Sequence, residues 1–344
     1  MQTLQRMLVA LALLFTSLWV LLFIWTHQPI ATLFTYILIL IWLILAIVVY
    51  VSYHQHKPAR YTLAVMYILG FCIALFCFFA MAPKNDRNWR PENARLLDFR
   101  FVDGQVEVQN IRNFVWNSDD QYDVQWETRR YRIEDIETVD MIVSHFIAGP
   151  VAHVFVSFGF KDGRYLSLSL EVRQEEGEGF STIGGFFRQY ELALVGGDEN
   201  DLIFSRTNIR EEDLYIYPLQ MEKIQMQMLF LEYLSKANRL KHQPRWYNTF
   251  ISNCTTILFD LAEHATGSIP RDYRILLPGL IPNYLYDHGQ LSNAITLEEW
   301  RKLAYVNPKT QHLTTGRDTE KIDFSALIRQ NLPDAQLQPK KSEK

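Results

Sequence analysis

The chain has 344 residues, is 49% hydrophobic and carries a formal net charge of -4 at pH 7. A chain of this length and apolar content can bury a large core, and its slightly acidic balance gives no sign of nucleic acid as a partner. The apolar residues are not evenly spread, because long uncharged runs lie near the N-terminus.

Three of these runs are long enough to cross a bilayer, which takes about 20 mostly apolar residues. They cover residues 8–25, 31–53 and 61–81. The first resembles a signal peptide, but no small-residue cleavage site follows it and two further runs come immediately after. The sequence therefore predicts a membrane anchor of three transmembrane helices in residues 1–83, in preference to three soluble core helices.

The orientation of these helices depends on the basic residues at their ends, and the counts nearly balance. With the N-terminus inside, the cytoplasmic side holds Arg6, Lys57 and Arg60. The reverse arrangement places four basic residues there: Lys84, Arg87, Arg90 and Arg95. Charges that lead into a long translocated domain count for less than charges in short loops, so the balance favours an external C-terminal domain.

The rest of the chain divides into a polar linker at 84–98, a large domain at 99–331 and a polar tail at 332–344 that is expected to be disordered. Alternating runs such as QVEVQNIRNFVW predict strands in the large domain. An amphipathic helix is also predicted there, with an apolar stripe at Ile224, Met228, Leu231 and Leu234 that should pack on the sheet. This mixture predicts the α+β class.

Of the three cysteines, Cys72 and Cys77 lie in the third apolar run, where they serve as small packing residues. Cys254 is then the only thiol of the polar domain, so no disulfide can form within that domain. A lone cysteine is most simply a buried core residue, and that interpretation remains open.

The surroundings of Cys254 favour a reactive role. The run TTILFDLAEHATG has a helical apolar stripe, and Ser252 and Asn253 are residue types that begin helices. Cys254 should therefore lie in the first turn, where the helix dipole favours a thiolate and backbone N–H groups can stabilise an oxyanion. Asn253 and Thr255, on either side of it, are candidate substrate or oxyanion contacts.

Among the six histidines of the polar domain, His153 has the most informative setting, because VAHVFVSFGF, KDG and RYLSLSLEV predict a β-hairpin. A three-residue turn at 161–163 pairs Phe160 with Arg164, so paired residue numbers sum to 324. One face then carries only apolar pairs, and the other places His153 directly opposite Glu171. A carboxylate there would stabilise a protonated imidazole, although a purely structural His–Glu bond is the alternative.

These residues form a candidate Cys254–His153–Glu171 triad, with three further candidate substrate contacts. Arg173 and Arg206 could contact phosphate headgroups, with salt bridges to nearby acids as the alternative. Tyr247 could line a substrate groove, with core packing as the alternative. No HExxH, CxxC or glycine-rich phosphate motif is present, so no metal or other cofactor is expected.

The segments VAHVFVSFGF, SLEVR and YNTFISNCTT resemble the bacterial family first catalogued as DUF4105, the periplasmic domain of Lnb-type lipoprotein N-acyltransferases. The order of His strand, acidic strand and Cys helix is similar to a circularly permuted papain-like fold of the NlpC and lecithin:retinol acyltransferase type. The resemblance implies that Cys254 is the nucleophile, that His153 is the general base and then acid, and that Glu171 orients the imidazole.

The resemblance also implies a multi-pass protein of the bacterial inner membrane with its C-terminal domain in the periplasm. The expected activity is acyl transfer through a thioester, with the bilayer, a phospholipid or a lipoprotein as partner. A cell-wall peptidase or amidase with the same site is one alternative, and a non-catalytic membrane scaffold is the other. The acyl donor and acceptor remain open.

Overall fold

The computed structural model describes residues 2–28 and 30–335, so most of the tail predicted to be disordered, from 336 onwards, lies outside the described residues. The chain forms two compact units. The first comprises Met1–Lys84, Gly179–Glu191 and Trp246–Thr249. The second comprises Asn85–Glu178, Leu192–Arg245 and Phe250–Lys344.

The first unit is built on three long helices, α1 (Gln2–His27), α2 (Thr32–His54) and α3 (Arg60–Ala80). Each is long and apolar enough to cross a membrane, which confirms the three predicted spans. Most of their apolar side chains are exposed, as is expected of helices whose surroundings are lipid rather than protein.

Tyr67 holds the three helices of this unit together. Its ring stacks on Trp42 of α2 at 4.7 Å, and its hydroxyl lies 2.8 Å from Ser17 Oγ of α1. Gly70 leaves the space that Trp42 needs, because a Cβ atom there would lie 2.8 Å from the indole. Contacts of this kind, between small residues and paired hydroxyl groups, are typical of helices that associate inside a bilayer.

The same unit includes a short helix, α4 (Thr182–Phe186), and the residues that follow it. The ring of Phe187 packs between Trp19, Phe23 and Phe78 at centroid distances of 5.5 to 6.5 Å. Arg188 donates a hydrogen bond to the carbonyl oxygen of Phe78, near the end of α3. The C-terminal parts of α1 and α3 therefore lie on the same side as this segment.

The second unit contains most of the strands. They are β1 (Asp98–Val102), β2 (Gln105–Arg112), β3 (Val115–Ser118), β4 (Gln121–Asp123), β5 (Trp126–Tyr131), β6 (Ile136–His145), β7 (His153–Phe160), β8 (Tyr165–Arg173), β9 (Glu191–Gly197) and β10 (Asp213–Pro218). The main sheet has the order β1-β2-β9-β8-β7-β6-β10, with β5 paired to β2. The β1–β2, β2–β5, β6–β7, β7–β8 and β6–β10 pairs are antiparallel, whereas β2 and β9 run parallel.

The β7–β8 hairpin has the register that the sequence predicts. Val156 pairs with Leu168 and Phe158 with Leu166, so the paired numbers sum to 324. The turn closes with a hydrogen bond from Phe160 N–H to the Arg164 carbonyl, and Gly163 adopts a φ of +82° that suits glycine. The polar face of the hairpin is as buried as the apolar one, because helices and loops cover both sides of the sheet.

The remaining helices surround this sheet. They are α5 (Glu199–Leu202), α6 (Lys223–His242), α7 (Cys254–Thr266), α8 (Ile281–Asp287), α9 (Leu297–Ala304), α10 (Asn307–Thr310), α11 (Gly316–Thr319) and α12 (Phe324–Ile328). Phe158 packs edge-on against Phe230 of α6 at 5.1 Å, and Phe155 belongs to the core on the opposite face. The predicted α+β class, with three apolar helices before a sheet domain and a helix that bears Cys254, is confirmed.

The predicted packing face of α6 is wrong in part. Ile224, Met228 and Leu231 are exposed, and only Leu234 of the predicted stripe is buried. The buried stripe instead comprises Met226, Leu229, Phe230, Tyr233, Leu234, Ala237 and Leu240. It has the wider apolar surface, at steps of three, four and seven residues, and it includes both aromatic side chains of the helix.

Candidate active site

Cys254 is the first residue of α7, and Asn253 is its N-cap, as predicted. Asn253 Oδ1 accepts hydrogen bonds from the N–H groups of Thr255 at 3.0 Å and Thr256 at 2.9 Å. The Thr256 hydroxyl returns the interaction by accepting the N–H of Asn253 at 3.0 Å, which completes a capping box. The thiol is therefore fixed at the positive end of a well-formed helix.

The thiol is 8% exposed, and two groups from β7 interact with it. The N–H of Val154 and the imidazole of His153 both interact with the sulfur and stabilise its negative charge. Burial alone would raise the pKa of Cys254, but the bond with His153, the charge of that imidazole and the Val154 N–H together lower it below the ordinary value of 9.0. The thiolate is thus favoured, as in reactive cysteines.

His153 begins β7, and its side chain is 15% exposed. Its Nε2 atom lies 2.8 Å from Ser169 Oγ and 3.3 Å from Glu171 Oε1. Burial would lower the pKa of His153, but the negative charges of the Glu171 carboxylate and the Cys254 thiolate outweigh burial and raise this pKa to about 10. The imidazole is therefore protonated at neutral pH.

Glu171, on β8, receives two hydrogen bonds at Oε1: one from Ser169 Oγ at 2.7 Å and one from Arg206 Nη2 at 2.8 Å. Burial would raise the pKa of this carboxyl, but the charges of His153 and Arg206 hold it well below its usual range. The carboxylate is therefore ionised, and it stabilises the positive charge of the imidazole.

These groups form a line of alternating charge from Cys254 through His153 and Glu171 to Arg206. Because Ser169 and Glu171 occupy the Nε2 side of the imidazole, the Nδ1 atom is the one available to the thiol. A thiolate paired with an imidazolium is the resting state of a cysteine nucleophile whose partner can deliver a proton to a leaving group.

Fewer backbone N–H groups are available for an oxyanion site than the sequence suggested. Thr255 and Thr256 donate their N–H groups to the cap, so neither backbone group is available to a substrate oxygen. Asn253 acts through Oδ1 as an acceptor in that cap, and the hydroxyl of Thr255 lies 3.8 Å from the sulfur. Within the first turn, the N–H of Cys254 itself is the donor that the cap does not use.

Two of the other predicted substrate contacts, Arg173 and Tyr247, have contacts within their own units. Arg173 is 2% exposed and donates hydrogen bonds to the carbonyl oxygens of Asn93 and Ala94 and to Asn85 Oδ1. It thereby fixes residues of the predicted linker, and a contact of Arg173 with a substrate stays a prediction. Tyr247 lies in the first unit, where its N–H donates to the Tyr190 carbonyl at 2.9 Å and its ring packs against Gly185.

Arg206 does lie at the site, but in a different role from a headgroup contact. Its side chain, 6% exposed, pairs with Glu171 and lies over the ring of Phe155 at 5.1 Å. The salt-bridge alternative is the one that the structure supports. Arg206 comes from a π-helical turn, Ser205–Ile209, a rare conformation that is frequent at functional sites.

Ser169 is the site residue that sequence reasoning missed. It joins the imidazole of His153 to the carboxylate of Glu171 and is fully buried. Its position two residues before Glu171, on the same face of a strand, was the signal that could have identified it. Within residues 2–28 and 30–335, no group of three His, Cys, Asp or Glu side chains is arranged to hold a metal ion.

Part of the chain matches a known protein family. Residues 122–279 match the family model described as the Lnb N-terminal periplasmic domain, and this stretch includes Cys254, His153, Glu171 and Arg206. No curated protein and no solved structure was found to match the chain, so the papain-like relationship remains a prediction. The chain therefore combines three helices that are long and apolar enough to cross a membrane with a stretch, residues 122–279, that is similar to the Lnb N-terminal periplasmic domain.

Proposed function

We propose that the periplasmic domain is a cysteine acyltransferase that forms an acyl-thioester on Cys254. The observation that carries the proposal is the position of the thiol at the first residue of a capped helix, where it interacts with a protonated His153. Glu171 and Ser169 hold the other side of that imidazole. This arrangement supplies a nucleophile, an acid and an orienting group in one place.

In the first step, the Cys254 thiolate attacks the carbonyl carbon of an ester. The N–H of Cys254 donates to the oxygen that becomes negative in the tetrahedral intermediate. The bond from the carbonyl carbon to the ester oxygen then breaks, and His153 gives its proton to the departing alcohol. The products are a thioester on Cys254, the free alcohol and a neutral imidazole.

In the second step, an amine attacks the thioester carbon and gives its proton to His153. The carbon–sulfur bond breaks, so the thiolate and the imidazolium are restored together with an amide. Glu171, Ser169 and Arg206 act as positioning residues throughout, because they contact the imidazole or one another rather than the reacting atoms. Water in place of the amine would make the same site a hydrolase.

A lipid or lipoprotein acyl donor suits a domain that three transmembrane helices tether to the bilayer. We further propose that these helices make the protein a multi-pass component of the bacterial inner membrane. The N-terminus would then be cytoplasmic and the domain periplasmic. The similarity of residues 122–279 to a periplasmic domain supports this orientation.

The test uses the full-length protein in nanodiscs that contain phospholipid with isotopically labelled acyl chains. Intact-protein mass spectrometry should detect a labelled acyl adduct that hydroxylamine removes and that Cys254→Ala lacks. Cys72→Ala, a control at an exposed cysteine of α3, should retain the adduct. Addition of a diacylated lipopeptide with a free amino group should discharge the adduct and yield an N-acylated product.

Other outcomes distinguish the alternatives. Discharge by water alone would identify a hydrolase rather than a transferase. Absence of any adduct, with cleavage of muropeptides that depends on Cys254, would identify a cell-wall peptidase. Absence of both activities would contradict an enzymatic role and favour the scaffold.

A further inference from the structure

An apolar cavity of about 300 Å³ lies beside α7 in the second unit. Leu258, Phe259 and Ala262 of α7 form one wall. Val156 of β7, Leu229 of α6 and Leu285 of α8 also line the cavity. The volume lies at the lower end of the range found for ligand sites, and the walls are mainly hydrocarbon.

Three of the polar side chains that line this cavity have hydrogen-bond partners within the protein, and Ser268, His288 and Gln290 line it as well. Thr266 Oγ1 donates to the Ala262 carbonyl at 2.8 Å, and Tyr284 donates from its hydroxyl to the Pro270 carbonyl at 2.6 Å. Gln225 Oε1 accepts the N–H of Glu222 in the cap of α6. Because most of the lining side chains are hydrocarbon, an apolar group such as an alkyl chain suits this space best.

The two elements that position the nucleophile, α7 and β7, also line the cavity. Leu258 follows Cys254 by four residues, so the two side chains lie on the same side of α7, within about 40° of rotation and about 6 Å along the axis. Val156 lies two residues beyond Val154, whose N–H interacts with the sulfur. The cavity therefore extends along α7 from a point one helical turn from the thiol.

We propose that this cavity holds the hydrocarbon chain of the acyl group that Cys254 carries, an inference that rests on the acyl-thioester function. From Leu258 to Thr266 the wall of α7 measures about 12 Å, which accommodates a chain far longer than butyryl. Burial of each methylene from water would favour long-chain donors over short ones. The substrate class is then a long-chain fatty ester.

The test compares acylation of the full-length protein in nanodiscs by p-nitrophenyl butyrate and p-nitrophenyl palmitate. Ala262→Phe places a ring in the cavity and should reduce the palmitoylation rate about tenfold or more while changing butyrylation less than about twofold. If Ala262→Phe does not fold, Ala262→Val is used in its place, because valine also fills part of the cavity but is a smaller change. His264→Phe, on the exposed side of the same helix, is the matched control and should leave both rates unchanged.

Equal effects on both esters, or no effect on either, would overturn the assignment of the cavity. A palmitic acid that carries a terminal diazirine provides a readout independent of chemistry in the Cys254→Ala protein. Its crosslinks should map to residues 258–266 and disappear in the Ala262→Phe background. If wild-type protein were acylated by neither ester, the proposed function would fail, and crosslinks absent from this segment would reject the cavity separately.

Discussion

Arg206 donates a hydrogen bond to Glu171 at 2.8 Å, although 35 residues separate the two in the sequence. The same carboxylate oxygen lies 3.3 Å from the imidazole of His153. Arg206 therefore keeps the Glu171 carboxylate ionised and in position, and this carboxylate orients His153. Loss of Arg206 should affect both the stability of the domain and the ionisation of the Cys254 thiol.

Arg206→Met should destabilise the domain strongly. The Arg206 side chain is 6% exposed and its carboxylate partner is 22% exposed, so the change leaves the His153 imidazolium as the remaining positive charge beside a largely buried carboxylate. Loss of one partner of a buried pair costs about 3–5 kcal/mol. Urea unfolding of the full-length protein, followed by tryptophan fluorescence, measures the effect.

Arg239→Met serves as the control for Arg206→Met. Arg239 is 52% exposed and lies 3.8 Å from Glu232, a solvent-screened pair. Its loss should leave the unfolding midpoint close to that of the wild type. Similar midpoints for the two variants would contradict the role assigned to the Arg206–Glu171 pair.

Ser169→Ala tests the residue that joins His153 to Glu171. The change should lower the rate of Cys254 acylation about tenfold, the equivalent of one hydrogen bond to a charged group. Because the imidazolium loses an acceptor, the pH at which the rate reaches its midpoint should also move, which a merely structural residue would not cause. A profile with the midpoint of the wild type would reject the positioning role.

Ser167→Ala is the matched control for that experiment. Ser167 lies on the same strand and the same buried face, but its hydroxyl donates to Ser157 Oγ at 3.2 Å rather than serving the imidazole. We expect its acylation profile to follow the wild type. A loss as large as that of Ser169→Ala would indicate general damage to the hairpin.

How far the sequence could predict this site depends on the range of the interactions. The hairpin register followed from alternation within 20 residues, and the start of α7 followed from the type of residue at 253, because both are local. The contact of Arg206 with Glu171 depends on a π-helical turn and a strand that meet only after folding. No local pattern encodes that meeting.

Two other differences have equally specific causes. The prediction chose the exposed stripe of α6 because that helix has apolar residues on more than one side, and packing against Phe158 selects the side with Phe230.

The cap at Asn253 accepts hydrogen bonds from the N–H groups of Thr255 and Thr256. A favourable N-cap residue therefore strengthens the helix start while removing the oxyanion donors that the helix start suggested.

The pH dependence of thiol labelling should show the lowered pKa of Cys254 directly. In a Cys72→Ser/Cys77→Ser background, iodoacetamide can react only with Cys254. Because the thiolate is the reactive form and its pKa is below 9.0, the rate should rise with pH and reach half its maximum below pH 9. His153→Ala removes the partner that opposes burial, so its half-maximum should move to higher pH. An unchanged midpoint in that variant would show that His153 does not lower the pKa of the Cys254 thiol.

Acid should destabilise the domain partly through Glu171. Burial alone would raise the pKa of Glu171, but the charges of His153 and Arg206 hold it well below 4.5 in the folded state, whereas the unfolded chain titrates near that ordinary value. Below about pH 4.5 the unfolded state therefore binds the proton first, and stability falls as the pH falls through the folded pKa. The thermal midpoint of wild-type protein should decline from pH 6 to pH 3 more steeply than that of Glu171→Gln, which has no proton to bind. Glu137→Gln, at an exposed residue of β6, should keep the wild-type slope, and equal slopes for all three proteins would refute the assignment.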